Sequence, residues 1–209
     1  MARMDVLDVV RDCFFPPRCC VCGIPGSALC LECAPFVHER QDERLATSEL
    51  ALRCLGIYGG NLRVAILAIK QGQRDVARAL ACYLAERVHD LPWLGEACLV
   101  PIPTARVRVR LRGVDGAAYV ARILARELGQ CSRVMLGTRS QRMQHQLKRR
   151  ERLAGTRRLY LHSNAALAGL SVVLVDDVVT TGATLREAAM VLRTAGARVD
   201  GALALARTL

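Results

Sequence analysis

Aromatic side chains make up only 4% of this 209-residue chain, so its core has to be built from Val, Leu, Ile and Ala rather than from stacked rings. Long apolar runs are missing too. No 18 consecutive apolar residues occur, and Asp5 and Asp8 interrupt the segment where a secretory leader would be uniformly apolar. A cytoplasmic location is therefore expected. The sequence has no Gly-Lys-Ser/Thr tripeptide, which argues against a P-loop and against the nucleoside triphosphate hydrolysis such a loop supports. Acidic residues are outnumbered, 19 Asp and Glu against 30 Lys and Arg, leaving a formal charge of +11.

That positive charge is concentrated. Arg106, Arg108, Arg110 and Arg112 form one cluster, and Arg139, Arg142, Lys148, Arg149, Arg150, Arg152, Arg157 and Arg158 form another. Such density implies an anionic partner, either a polyphosphate metabolite or a nucleic-acid backbone, against the plainer alternative of a solvated basic surface. The ten cysteines are expected as reduced thiols and metal ligands, because cytosolic redox buffers keep thiols reduced. Five fall between Cys19 and Cys33, whereas Cys54, Cys82, Cys98 and Cys131 stand alone in apolar surroundings and read as small core residues.

The order of elements follows from periodicity. Val6, Val9, Val10, Cys13 and Phe14 suit a short amphipathic helix stopped by Pro16 and Pro17, a lid or docking helix. A polar linker over residues 38–49 separates an N-terminal part, residues 1–45, from a larger domain, residues 46–209. In that domain short apolar runs alternate with helical patterns, which predicts βα units around a mostly parallel sheet flanked by helices. Strands are expected over residues 53–58, 97–102, 133–136, 172–175 and 198–206. Helices are expected over residues 61–70, with Asn61 as the cap, and over 75–88, 117–128 and 184–195. Residues 139–158 are too polar to be core.

The most informative stretch runs from Val172 to Thr184. Four branched or leucine side chains suit a central strand buried on both faces, which brings Asp176 and Asp177 to its carboxyl end, where open α/β sheets bind ligands. Thr180, Thr181 and Gly182 then turn the chain into a helix starting near Thr184. Gly182 permits the positive φ that aims successive N–H groups at one point, flanked by hydroxyls, so a phosphate monoester fits there. Two carboxylates beside a phosphate need a task of their own: accepting hydrogen bonds from a vicinal diol, or holding Mg²⁺. A diol near a phosphate describes a ribose 5-phosphate. A phosphorelay receiver, which also has an acidic pair after a strand, needs about a hundred further residues, and only 32 follow Asp177.

A second motif lies near the N-terminus. Cys19-x₂-Cys22 and Cys30-x₂-Cys33 are two thiol pairs joined by a short loop with Gly23, Pro25 and Gly26, the spacing of a closed, structural four-thiolate zinc site. Cys20 is an alternative to Cys19, with a poorer spacing to Cys22.

The Val172 to Thr184 stretch resembles the phosphoribosyl-pyrophosphate motif of type I phosphoribosyltransferases at every position. A four-cysteine knuckle ahead of such a domain resembles the ComF competence family of ComFC- and GntX-like proteins. Tyr58 with Lys70, Val100-Pro101-Ile102-Pro103, Arg112-Gly113, then Arg139, Gln144, Leu147 and Arg152 add to the likeness. The resemblance implies a type I phosphoribosyltransferase-like fold and binding of phosphoribosyl pyrophosphate with Mg²⁺. It implies that Asp176 and Asp177 face the ribose hydroxyls and that Thr180, Thr181, Gly182, Ala183 and Thr184 hold the 5-phosphate. Thr104, Ala105 and Arg106 would meet the pyrophosphate, and Arg139, Gln144 and Arg152 would belong to a mobile basic loop that closes over the substrate and excludes water. A role in DNA uptake is also implied, with a competence helicase of the ComFA type and single-stranded DNA as partners. The chain departs from the family at Val114-Asp115-Gly116, where Phe-Asn-Gln is usual, and at Gly155, where Asn is expected.

Read as an enzyme, a pentosyltransferase, such a site needs Asp176, Asp177 and Arg106 as its catalytic groups, because stabilising departing pyrophosphate is the main task. No general base stands out, and His145 in a basic loop is more readily a surface residue. Read instead as a non-catalytic module, the chain would sense the metabolite and contact single-stranded DNA through its arginines, with few aromatics to stack on bases.

Overall fold

The computed structural model describes residues 16–34, 42–44, 50–104, 115–138, 159–162 and 167–208. In chain order its elements are β1 (Asp42–Arg44), β2 (Ala51–Ile57), α1 (Gly60–Lys70), α2 (Arg74–Val88), β3 (Cys98–Pro101), α3 (Gly116–Glu127), β4 (Leu136–Thr138), β5 (Leu159–Leu161), β6 (Ser171–Val179), α4 (Ala183–Thr194) and β7 (Arg198–Arg207). Five strands make one sheet in the order β1-β2-β7-β6-β3. The pairings of β2 with β7, β7 with β6 and β6 with β3 are parallel, and only β1 runs antiparallel to its neighbour β2. The mostly parallel α/β architecture expected from the alternating pattern is therefore present, with four α-helices and a 3-10 turn at Leu31–Cys33 among the described residues.

Burial explains why β6 is central. Val172, Val173, Leu174 and Val175 are all fully buried, which only a strand covered on both faces allows. Val173 and Val175 pack with side chains of α1, α2 and α3, while Val172 and Leu174 pack with α4, β4 and β5. β7 supplies small residues, Gly201, Ala202, Ala204 and Ala206, that let covering groups approach. At Gly201 the Trp93 ring occupies the space a Cβ would need.

The parallel arrangement brings the carboxyl ends of β2, β7, β6 and β3 to one edge. α1 begins just past β2 at this edge and ends beside β6, where Lys70 meets Asp177. Eleven helical residues reach about 16 Å, enough to pass over the two ~4.8 Å strand spacings between β2 and β6. The cysteine knuckle is docked on the same side. Cys19, Leu29 and Cys33 share a core with α1 and α2, Asn61 Nδ2 donates to Cys33 O at 3.1 Å, and Tyr83 OH donates to Leu29 O at 3.4 Å. No helix among the described residues is long and apolar enough to cross a membrane.

Several expectations need correction. The stretch read as a linker contributes an edge strand, β1, because its backbone pairs with Ala51 to Arg53 of β2. The strand expected over residues 133–136 begins only at Leu136, where antiparallel pairing with β5 sets in, and β5 itself was not foreseen. Asn61 does not cap α1: Gly59 is the N-cap and Asn61 is spent on the knuckle. Cys131 is exposed rather than a core residue. The helix expected over residues 5–14 and the basic segment 139–158 lie outside the described residues.

Candidate functional site

β6 is longer than its apolar run. It continues to Val179 because β7 goes on pairing with it, Asp176 against Ala204 and Val178 against Ala206. β3 has already left by then: its last register partner is Val175, and Ile102 N–H makes the final bond, to Val175 O at 2.8 Å. Asp176 and Asp177 thus lie in the section of β6 that has lost one neighbour, not beyond the strand end as the sequence suggested. Each carboxylate binds the next backbone amide. Asp177 N–H donates to Asp176 Oδ1 at 2.8 Å, and Val178 N–H donates to Asp177 Oδ1 at 2.8 Å.

The two acids are electrostatically unequal. Asp177 Oδ2 lies 3.5 Å from Lys70 Nζ. Removal from water pushes Asp176 well above the ordinary carboxylate range, and the Asp177 charge adds to that, against a smaller opposing effect of Lys70. Both side chains are half-buried, so they remain reachable from the edge.

Immediately after β6 comes a turn suited to an anion. Gly182 sits at φ 71° and ψ 7°, the left-handed region that other residues enter at a cost, and it is the N-cap of α4 with no side-chain cap bond. Thr180, Thr181, Ala183 and Thr184 around it are exposed. Thr181 Oγ1 accepts the Ala183 N–H at 3.4 Å, which draws the hydroxyl in beside the helix N-terminus. Amides, hydroxyls and the positive end of the helix dipole converge on one surface there.

Thr104, at the end of the segment that follows β3, is held by Asp115, which the sequence marked only as a departure from the family pattern. Its N–H and its hydroxyl donate to the two oxygens of Asp115, at 3.4 and 3.1 Å, and Asp115 Oδ1 also accepts Ala118 N–H at 3.4 Å as the N-cap of α3. The two described residues on either side of positions 105–114, Thr104 and Asp115, are therefore hydrogen-bonded to each other. Ala105 and Arg106 lie outside the described residues, as do Arg139, Gln144, His145 and Arg152. Lys70 is the other residue that sequence reasoning left without a role. The sequence marks it only, with Tyr58, as part of the family likeness, and the fold then sets it against Asp177.

The four cysteines converge as their spacing required. The sulfurs of Cys19, Cys22, Cys30 and Cys33 all lie within 4.8 Å of one another, and Cys22 Sγ is 3.7 Å from Cys30 Sγ. Cys20 is not in this group, which leaves Cys19 as the member of the first pair. Burial raises the Cys19 thiol, but amides of Cys22, Cys30 and Val21 outweigh it and hold the group at about 6, while a side-chain hydrogen bond with Cys30, with burial next, pushes Cys33 far up. One thiolate stabilised among thiols is a donor set that accepts a metal ion.

Comparison with known proteins follows the same division. Residues 114–207 match the family model described as phosphoribosyl transferase domain. Competence protein ComFC of Bacillus subtilis is 27% identical over 177 residues, covering 83% of this chain and 70% of that protein. DNA utilization protein YhgH of Salmonella typhi is 28% identical over 200 residues, covering 91% of this chain and 84% of that protein. The chain is thus similar over most of its length to the competence and DNA-utilization proteins, and over residues 114–207 to phosphoribosyl transferase domains. A local likeness adds to this: the adenine phosphoribosyltransferase of Sphingopyxis alaskensis is 51% identical over 49 residues, 23% of this chain. The chain spans 27% of the length of that relative. The acidic pair and the Gly182 turn lie inside the matched domain, and the four cysteines lie ahead of it.

Proposed function

We propose that this protein binds phosphoribosyl pyrophosphate together with Mg²⁺ at the carboxyl edge of its sheet and acts in natural competence and DNA uptake. The observation that carries the reading is the partly buried pair Asp176 and Asp177 on the free section of β6, followed by an exposed helix N-terminus opened by left-handed Gly182. In it the two carboxylates accept from the ribose hydroxyls, and Thr180, Thr181, Gly182, Ala183 and Thr184 take the 5-phosphate. Thr104, with Ala105 and Arg106, serves the pyrophosphate. Because the Thr104 hydroxyl and N–H are both directed at Asp115, Thr104 contributes by anchoring the arginine-rich segment more than by donating to phosphate. When bound, Mg²⁺ supplies positive charge to the pyrophosphate oxygens.

A transfer reaction at this site is pentosyl transfer, in which the bond from the anomeric carbon to pyrophosphate breaks as a bond to the acceptor forms. Arg106 would stabilise the departing charge, and Arg139, Gln144 and Arg152 would cover the site against water. The second reading, a non-catalytic module that binds the metabolite and single-stranded DNA, draws on the names of the competence and DNA-utilization relatives and on the charge of +11. A cytoplasmic protein working beside a competence helicase of the ComFA type fits either.

The cysteine cluster fits structural zinc. A tetrahedron with ~2.3 Å Zn–S bonds has edges of roughly 3.8 Å, beside the 3.7 Å between Cys22 and Cys30 sulfurs. The division at residue 45 into knuckle and phosphoribosyltransferase-like domain is part of the same proposal.

Titration calorimetry in Mg²⁺ with phosphoribosyl pyrophosphate, ribose 5-phosphate and 2-deoxyribose 5-phosphate tests the ligand. Binding should be tightest for the first, and the 2-deoxy sugar should lose about tenfold against ribose 5-phosphate because one carboxylate is left unpaired. Equal binding of the two monophosphates would remove the diol from the account. Pyrophosphate release with an added base or amine would select the enzyme. DNA retention lost on replacing Arg106, Arg108, Arg110 and Arg112 by Ala, with metabolite binding kept, would select the module.

A further inference from the structure

Asp177 has both carboxylate oxygens engaged. Oδ1 accepts the Val178 N–H at 2.8 Å, and Oδ2 lies 3.5 Å from Lys70 Nζ. Neither partner is casual. Val178 is the adjacent residue of β6, and Lys70 closes α1, the helix that passes over the carboxyl edge from β2. The end of α1 is itself fixed. Ile69, which is buried, lies so near the start of α3 that a Cβ on Gly116 would come within 3.3 Å of its Cγ2. Lys70 is 27% exposed and Asp177 30%, so the pair is screened less than one on the open surface.

An anionic ligand arriving at two adjacent carboxylates meets repulsion that grows as water is expelled. A compact ammonium beside one of them offsets that charge without reaching across the ligand's place, which a longer, forked guanidinium would do less neatly. We infer that Lys70 is a further residue of the ligand site, a positioning residue that fixes Asp177 and offsets its charge, so that the edge presents less negative charge to a sugar polyphosphate. The inference rests on the reading of this edge as a phosphoribosyl-pyrophosphate site. It differs from a role in which Lys70 itself grips the ligand: acting through Asp177, it matters only while Asp177 carries a charge.

That distinction sets the experiment. Phosphoribosyl pyrophosphate with Mg²⁺ is titrated into wild type, Lys70→Gln, Lys70→Arg, Asp177→Asn and Lys70→Gln/Asp177→Asn, with zinc content and unfolding midpoint confirming that each variant is folded. Lys70→Gln should weaken binding about tenfold, Lys70→Arg should recover to within about threefold, and Lys70→Gln should cause no further loss on top of Asp177→Asn. Additive losses, or unchanged affinity in Lys70→Gln, would overturn the inference. A second measurement needs no ligand: a double-mutant cycle on the unfolding midpoint should show coupling between Lys70→Gln and Asp177→Asn, and additive shifts would overturn the inference by themselves. If wild type binds no phosphoribosyl pyrophosphate, the reading of the site falls, while the stability cycle still decides what Lys70 does to Asp177.

Discussion

Thr104 gives both its backbone N–H and its hydroxyl to the carboxylate of Asp115, at 3.4 and 3.1 Å, and the same carboxylate caps α3 through Ala118 N–H. One side chain thereby joins the end of the β3 segment to the start of a core helix. Replacing Asp115 by Ala should cost about 1 kcal/mol in a denaturant titration, the usual value of an N-cap, and should weaken phosphoribosyl-pyrophosphate binding, since Thr104 is released. Asp115→Asn keeps an acceptor oxygen and should retain most of both. Equal losses in the two variants would mean that the charge matters rather than the tether.

Gly182 should resist replacement for a reason local to the turn. A Cβ at φ 71° costs roughly 1–2 kcal/mol, and the chain can relieve it only by reshaping the residues that face the phosphate. Gly182→Ala should lower the unfolding midpoint and reduce affinity for ribose 5-phosphate about tenfold or more. Unchanged affinity would place the phosphate elsewhere.

The acidic pair makes stability depend on pH. Burial, with the Asp177 charge next, raises Asp176 above its unfolded value of about 3.9. Above that value the unfolded chain has released a proton that the native protein still holds, so native stability falls as pH rises from about 4 through the raised folded value. Asp176→Asn removes this loss. It should melt higher than wild type at pH 7 to 8, with the gain shrinking as pH approaches 4. An Asn variant less stable than wild type at neutral pH would contradict the sign.

The fold was legible where residue type alone fixes an element. Val172 to Val175 could only be a strand covered on both faces, and Gly182 among threonines could only be a turn into a helix. The four cysteines were legible because thiolate geometry dictates spacing. What stayed hidden depends on partners distant along the chain. β6 runs past its apolar residues because Ala204 and Ala206 of β7 keep pairing with it, and no feature of Asp176 or Asp177 announces that. β1 and β5 are short strands whose pairing comes from Ala51 to Arg53 and from Leu136 to Thr138. Asn61 has the residue type of a cap, yet Gly59 takes that place while Asn61 ties α1 to Cys33. The Lys70–Asp177 pair exists only once α1 is laid across the sheet edge.

The cysteine cluster should bind one zinc ion per chain, and its loss should be felt in the larger domain because Cys19 and Cys33 share a core with α1 and α2. Cys30→Ser should abolish zinc in elemental analysis and lower the unfolding midpoint. Full zinc content in that variant would point to a different ligand set.

The central claim is that Asp176 and Asp177 hold the sugar of phosphoribosyl pyrophosphate. Titration calorimetry with this ligand and Mg²⁺, on wild type and on Asp176→Ala/Asp177→Ala, measures it most directly. The account predicts a single site in wild type, no detectable binding in the double variant, and the same zinc content in both. Undiminished binding by the double variant, or none by wild type, would contradict it.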